Sequence, residues 1–307
     1  MEKQNIRHDR AYVLYASENY FDIVYSCVKS IRTFSKLPIL VYLLNSDKKV
    51  DIEDVTTIKW ITNSFTDGNR YLNSTDNFYI DRTDENIYKL LIQRPMIVKD
   101  ALANYAKVVA YVDSDSLATQ YCDRIFDMYD ASLNYPYFVE GIYEYLHING
   151  RGGAETREDM STTLEHPACE LFGVNQYIRQ KYRQTGYFVA GQNTIDFLEE
   201  WYWMCTHPKI LKNPAEYAAY HEETIMNVLL WKHKIFSGLH IVYVNSTLEN
   251  IDRIFSHEFN GQVQMLAPWF AVPGELKHIY FLHGEKNPNK MNEMSKIIDI
   301  QTQKINF

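Results

Sequence analysis

The sequence predicts an α/β fold built on a mixed, mainly parallel sheet with helices on both faces. Three observations predict it. Ala11–Tyr15, Ile39–Leu44 and Val108–Val112 are short, continuous apolar runs, the pattern of strands buried on both faces of a sheet. Between the first two, Phe21, Val24, Cys27, Val28, Ile31 and Phe34 recur at helical spacing. The strand–helix–strand order makes the first two runs a parallel pair with a right-handed crossover. With 307 residues, 46% of them hydrophobic, the chain suits one such domain with insertions, spanning residues 1–307.

From the amino end, Ala11–Tyr15 is the first strand, and Ser17, Glu18 and Asn19 form a polar turn at its carboxyl end. The helix over Phe21–Phe34 follows, and Pro38 closes the connection into Ile39–Leu44. Thr57–Ile61 is a third strand. Ser64–Asp84, rich in Asn, Asp and Thr, is a surface loop. A helical segment begins at Ile87, Leu90 and Leu91 and runs to Tyr105, with Pro95 either interrupting it or opening a new helix. The central strand starts at Lys107. Tyr137–Val139 is a strand, and Asn149–Glu165, with Gly150, Gly152 and Gly153, is a long flexible loop. It belongs to an acceptor-side insertion around residues 140–175.

Gly186–Gly191 then reads as strand and turn. Asn193 or Thr194 caps the next helix, whose Phe197, Leu198, Trp201, Met204 and Cys205 make one apolar stripe. His221, Glu222 and Glu223 open a further helix with Ile225, Val228 and Leu229 inward. Two acidic residues in a first turn also suit the helix dipole. Ile241–Val244 and Ile279–Leu282 are late strands, the second ending at His283, and the chain after Asn287 is a polar tail.

Net charge is -8, which argues against a general electrostatic grip on nucleic acid and leaves room for a local basic patch. The four cysteines, Cys27, Cys122, Cys169 and Cys205, lie far apart with no C-x-x-C pair, so neither a zinc ribbon nor a redox dithiol is indicated. Free thiols in a reducing compartment are the plainer reading. The polar start MEKQNIRHDR is no signal peptide, and no run of about eighteen apolar residues could span a bilayer. A cytoplasmic protein is expected, with peripheral membrane association left open.

The chemistry concentrates in KVVAYVDSDS, Lys107–Ser116. The central strand ends in Asp113, Ser114 and Asp115. Ligands of open α/β sheets sit just outside the carboxyl ends of strands. Two carboxylates one residue apart can share a hard divalent cation, which could hold a diphosphate. The late strand offers His283 as a nitrogen ligand and Lys286 as a fixed positive charge. Oxygen and nitrogen donors together suit Mn²⁺, whereas Mg²⁺ prefers oxygens alone.

Five segments in this order resemble the GT-A nucleotide-sugar glycosyltransferases, particularly the retaining families that include glycogenin and the bacterial lipooligosaccharide galactosyltransferases. YASENY, Tyr15–Tyr20, is similar to their nucleotide-binding opening. VVAYVDSDSL is similar to their metal strand, YFVAG (Tyr187–Gly191) to their Y-F-N-A-G strand, and HGEKNP (His283–Pro288) to their closing H-x-x-G-x-x-K-P-W. YHEETIMN, Tyr220–Asn227, resembles both the D-Q-D-x-L-N segment of the glycogenin group and W-H-D-E-S-H-L-N of the blood-group α1,3-glycosyltransferases. Val189 stands where the family has Asn, and the closing motif is shortened and lacks its Trp.

The resemblance implies a Rossmann-like GT-A sheet and a retaining, metal-dependent hexosyltransferase. Asp113, Asp115 and His283 would hold Mn²⁺ or Mg²⁺. Ala16, Asn19, Tyr20, Arg94, Ser114, Gly191 and Lys286 would bind the UDP-sugar donor. Glu223 would act as nucleophile or as electrostatic support for an oxocarbenium-like state, and Glu222 would bind sugar hydroxyls. The acceptor would be a glycan, glycolipid or glycoprotein. Two other classes compete. A phosphatase of the haloacid dehalogenase type also uses D-x-D, but wants Thr or Val where Leu117 stands. A non-catalytic sugar-binding module would keep the fold without needing Asp113, Asp115 and Glu223 together.

Overall fold

The computed structural model describes residues 8–62, 70–72, 78–80, 85–140, 167–174, 183–218, 221–235, 243–251, 258–259, 262–263 and 279–305. Its centre is a six-stranded sheet. The strands are β1 (His8–Ser17), β2 (Ile39–Leu44), β3 (Val55–Trp60), β4 (Ala106–Val112), β6 (Tyr137–Glu140) and β7 (Arg183–Gly191). Their spatial order is β3-β2-β1-β4-β7-β6. The first four are mutually parallel, whereas β7 runs antiparallel to both β4 and β6. This is the mixed, mainly parallel α/β class that the sequence predicts.

The apolar runs form strands because both of their faces are buried. Tyr12, Leu14 and Ala16 of β1, with Ile39, Val41 and Leu43 of β2, face one core. Ala11, Val13 and Tyr15, with Leu40, Tyr42 and Leu44, face the other. Each fully buried Leu, Val or Ile side chain contributes roughly 1.5–3 kcal/mol. Helix α1 (Phe21–Phe34) covers the first face with Ile23, Val24, Cys27, Val28 and Ile31. The second face is covered by α2 (Glu85–Leu91), α3 (Arg94–Asn104), α4 (Ile195–Cys205) and α5 (His221–Lys232). Pro95 lies in the first turn of α3, where its missing N–H costs nothing. The helical segment before β4 is therefore two helices.

A smaller sheet crosses the carboxyl rim. It orders β8 (Tyr243–Asn245), β9 (Phe281–His283) and β5 (Ser116–Ala118), with β9 antiparallel to β5. The strand expected at Ile279–Leu282 thus begins later and includes His283. The strand expected at 241–244 is seen over Tyr243–Asn245, and residues 241–242 lie outside the described residues. Within the expected loop at 64–84, Arg70–Leu72 and Phe78–Ile80 pair antiparallel, and the rest lies outside the described residues. So do 141–166, which hold most of the expected insertion and its glycine-rich loop.

Two local expectations are corrected. Neither Asn193 nor Thr194 caps α4 with its side chain. Thr194 Oγ1 instead donates to Gly191 O (2.7 Å), and Asn193 Nδ2 donates to the Ala131 (3.2 Å) and Leu133 carbonyls. The expected polar tail is helix α6 (Pro288–Ile305). Asn287 Oδ1 accepts the N–H of Asn289 and Lys290 at its start. Met291, Met294 and Ile298, spaced three and four apart, are buried against the α1 face. A sparse stripe in a polar segment suffices to dock it. All four cysteines are buried free thiols. Among the described residues no helix is long and apolar enough to cross a membrane.

Met294 is 1% exposed. Met294→Ala is expected to lower unfolding stability by about 2–4 kcal/mol, read by urea denaturation; an unchanged midpoint would mean that α6 does not dock.

Candidate active site

The site forms where β4 ends. Tyr111 and Val112 are buried on opposite faces, and the chain then leaves the sheet through Asp113 and Asp115. Ser114 Oγ donates to Tyr15 O at 2.7 Å, which clips this exit to the neighbouring strand. Pairing of β5 with β9 sets His283 opposite Ser116, and Gly284 N donates to Asp115 O at 3.0 Å. Gly284 has φ +108°, a conformation that favours glycine, and it lets the chain fold over the Asp pair. His283 Nε2 comes to 3.2 Å from Asp115 Oδ1 and 3.8 Å from Asp113 Oδ2, and Lys286 Nζ to 3.6 Å from Asp115 Oδ2.

One donor atom from each of Asp113, Asp115 and His283 lies within 4.8 Å of the others. Two carboxylates and one imidazole at that spacing fit a divalent cation. Burial opposes ionisation of Asp115, but His283 and Lys286 outweigh it and hold its carboxyl below the usual range. Burial likewise opposes the charge on Lys286, yet Asp115, Tyr20 and Asp113 raise its pKa.

Behind this cluster lies a buried cation. Arg94, 5% exposed, starts α3. Its guanidinium meets Asp113 Oδ1 at 3.0 Å and Glu222 Oε1 at 2.7 Å, and donates to Thr185 Oγ1. The Tyr111 ring lies 4.8 Å from Arg94 Cζ, and its hydroxyl donates to Asp113 Oδ1 at 2.9 Å. Thr185 Oγ1 donates to Glu222 Oε1 (3.1 Å), and Thr185 N donates to Glu223 Oε2 (3.2 Å). Asn227 binds β7 to α5: its Oδ1 accepts Arg183 N, and its Nδ2 donates to the Arg183 and Glu223 carbonyls. Trp201 Nε1 adds a bond to Glu222 O at 2.9 Å.

The structure therefore brings Asp113, Asp115, His283, Lys286, Arg94, Glu222 and Glu223 to one rim. Tyr20 is half-buried beside Lys286, Asn19 is exposed, and Ala16 is buried in β1. Three expectations change. Arg94, expected at the donor, is buried and engages two carboxylates and a threonine. The Ser114 hydroxyl is engaged by Tyr15. Gly191 lies at the opposite end of the sheet, because β7 runs antiparallel to β4 and pairs Gly191 with Val108. A Cβ on Gly191 would sit 2.3 Å from the Tyr129 hydroxyl oxygen, so this glycine serves packing.

The glycine of the site is Gly186. Its carbonyl accepts Asp113 N at 2.9 Å, and a Cβ there would lie 2.7 Å from Asp113 Oδ2. Only a residue without a side chain allows this approach. Sequence reading missed Thr185, Gly186, Tyr111 and Asn227. The signal available was the small pair Thr-Gly just ahead of the apolar run Tyr187–Ala190.

Comparison with solved structures returns glycosyltransferases of the GT-A type. The galactosyltransferase LgtC, solved with donor and acceptor sugar analogs, is 13% identical, with 71% of this chain and 70% of that one covered and a TM-score of 0.42. The glycosyltransferase GlyE of Streptococcus pneumoniae TIGR4 is 14% identical over 97% and 63% of the two chains, with a TM-score of 0.45. Mouse xyloside xylosyltransferase 1 is 10% identical over 93% and 99%, with a TM-score of 0.44. At these identities they are likenesses of fold. No protein-family model and no curated protein matches the sequence.

Burial pushes the Glu222 carboxyl up to about 7; Arg94 pulls it down and Glu223 pushes it further up. A carboxyl with a raised folded-state pKa gives stability that is fully present below its ordinary 4.5 and is lost as pH rises to about 7. Glu222→Gln removes that titration. The stability of the wild type relative to this variant is expected to fall across that window, measured by thermal melts at stepped pH; a constant difference counts against the shift.

Proposed function

We propose that the protein is a divalent-metal-dependent, retaining glycosyltransferase that moves a hexose from a UDP-sugar to a glycan, glycolipid or glycoprotein acceptor. Residues 1–307 would act as one domain. The observation that carries this reading is the meeting of the Asp113–Asp115–His283 cluster with Glu222 and Glu223, held to the same rim through Thr185.

In this reading Asp113, Asp115 and His283 hold the ion, which when bound supplies Lewis-acid stabilisation of a diphosphate leaving group. Lys286, now 3.6 Å from Asp115, adds a fixed positive charge to meet the negative charge that develops there. Arg94 holds Asp113 and Glu222 in place from behind, so neither carboxylate swings when substrate enters. The bond from the anomeric carbon to the diphosphate oxygen breaks, and its electron pair leaves with UDP. The acceptor oxygen bonds that carbon and gives its proton to the departing diphosphate oxygen. Glu223, partly buried with one oxygen fixed by Thr185 N, serves as nucleophile or as the charge that supports the oxocarbenium-like state. Glu222, buried and ion-paired, is better suited to orient the sugar hydroxyls through Thr185 than to attack.

Asp115→Asn, and equally chelation by EDTA, is expected to cut UDP release from a UDP-hexose by roughly 100-fold or more, about 3 kcal/mol in transition-state stabilisation. Full turnover in either case would remove the metal from the mechanism. Glu223→Gln is expected to keep UDP affinity within about twofold while turnover falls by roughly 100-fold. Equal loss of both would make Glu223 a structural residue, and a β-linked product from an α-linked donor by NMR would rule out retention.

A further inference from the structure

We infer that Tyr111 is a positioning residue of the metal site: its hydroxyl holds Asp113 so that one carboxylate oxygen, Oδ2, is presented to the ion. The role rests on the proposed function, which seats a divalent ion at Asp113, Asp115 and His283. It does not require Tyr111 to touch the ion, the nucleotide or a sugar.

An ionised carboxylate only accepts hydrogen bonds, and each of its oxygens has two lone pairs to offer. Asp113 Oδ1 accepts from Arg94 Nη2 at 3.0 Å and from the Tyr111 hydroxyl at 2.9 Å. Both lone pairs of that oxygen are thus occupied. Oδ2 accepts no hydrogen bond among the described residues and faces His283 Nε2 at 3.8 Å. The backbone of Gly186 backs the same side chain. Its carbonyl accepts Asp113 N at 2.9 Å, and a Cβ there would lie 2.7 Å from Oδ2. Asp113 therefore has one oxygen for the protein and one for an ion.

The two donors to Oδ1 differ in what else they do. Arg94 also pairs with Glu222 at 2.7 Å and donates to Thr185, so removing it would strand a buried carboxylate and disturb the whole rim. Among the described residues the Tyr111 hydroxyl has Asp113 as its one hydrogen-bond partner. The ring is fixed independently of that bond. It is 1% exposed, stacks on Phe188 at 5.1 Å and 23°, and lies 5.9 Å from Tyr15. Side chains alternate along a strand, so a tyrosine two positions before the aspartate leaves the chain on the same side. A rigid ring with a single donor is then a fixed point for the carboxylate to rest against.

Groups that hydrogen-bond a metal ligand fix its orientation, and losing one weakens metal binding roughly 10–100-fold. Without the hydroxyl, Oδ1 keeps Arg94 alone and the carboxylate is freer to turn. Mn²⁺, which takes near-octahedral sites, depends on the set orientation. Ca²⁺ accepts a more flexible shell, bidentate carboxylates included, and depends on it less. Tyr111 thus sets selectivity as well as affinity.

The test is Tyr111→Phe in the full chain, with Mn²⁺ alone as probe, free ion counted by electron paramagnetic resonance, and Ca²⁺ measured by competition. Tyr42→Phe is the matched control: it is buried in the same core, and its hydroxyl donates to Asp100 at 2.7 Å instead. The wild type is expected to bind Mn²⁺, and Asp115→Asn to abolish that binding. Tyr111→Phe is expected to weaken Mn²⁺ at least about tenfold and Ca²⁺ by a clearly smaller factor, with Tyr42→Phe within about twofold of the wild type. If Asp115→Asn abolishes binding but Tyr111→Phe leaves it within about twofold, the inference is overturned and the metal site stands. Equal weakening of both ions by Tyr111→Phe, or as large a loss in Tyr42→Phe, makes the hydroxyl a packing group and also overturns it. If the wild type binds no Mn²⁺, or Asp115→Asn binds it unchanged, the inference falls together with the metal reading. Thermal melts check folding; should Tyr111→Phe not fold, Tyr111→Met, which also lacks the donor, takes its place.

Discussion

A buried positive charge holds the active end of this molecule together. Taking a guanidinium out of water costs several kcal/mol, which its partners must return through close, well-aligned bonds. Arg94 has Asp113 at 3.0 Å, Glu222 at 2.7 Å, Thr185 and the face of Tyr111. These partners come from the end of β4, the start of β7 and the first turn of α5. One cation therefore fixes the relative position of three elements that are far apart in sequence. It also sets how much negative charge the rim can hold at once, since Asp113, Asp115, Glu222 and Glu223 share a small region with Arg94, Lys286 and, when protonated, His283.

The division of labour between the two cations follows from burial. Arg94 sits behind the carboxylates with its polar groups committed to the protein, apart from Nε, which has no hydrogen-bond partner. Lys286 lies at the front, at a longer distance from Asp115, on a loop held by the buried carboxylate of Glu285. That carboxylate accepts the N–H groups of Leu248, Lys286 and Asn287. The scaffold is thus stiff where the charge is structural, while the ammonium of Lys286 is on a flexible stem.

Much of this was legible from residues alone. Apolar runs such as Ile39–Leu44 show buried strands directly, because both faces must be apolar, and the carboxylates after Val112 were found from the strand that precedes them. The α4 stripe also read correctly. Partnerships did not. Nothing near Arg94 in the sequence shows that its partners lie 91 and 128 positions away at Thr185 and Glu222. The direction of β7 was invisible too, and with it which end of that strand faces the site. Gly191 looked like the site glycine because it closes a recognisable motif, whereas the glycine that abuts Asp113 opens the strand. The α6 helix was hidden because only a thin stripe of apolar residues interrupts its polar surface.

Strand β7 acts as a spacer. Tyr187 and Val189 point into one core, Phe188 and Ala190 into the other. Between its ends lie two tight fits of opposite purpose, Gly186 against Asp113 and Gly191 against Tyr129. Sliding the pairing by one position would exchange the two faces, and would press a tyrosine onto a carboxylate where no Cβ fits. Over these few residues the chain has no freedom to lengthen or shorten: evolution or engineering can exchange side chains within the strand, but an inserted or deleted residue would undo both ends at once.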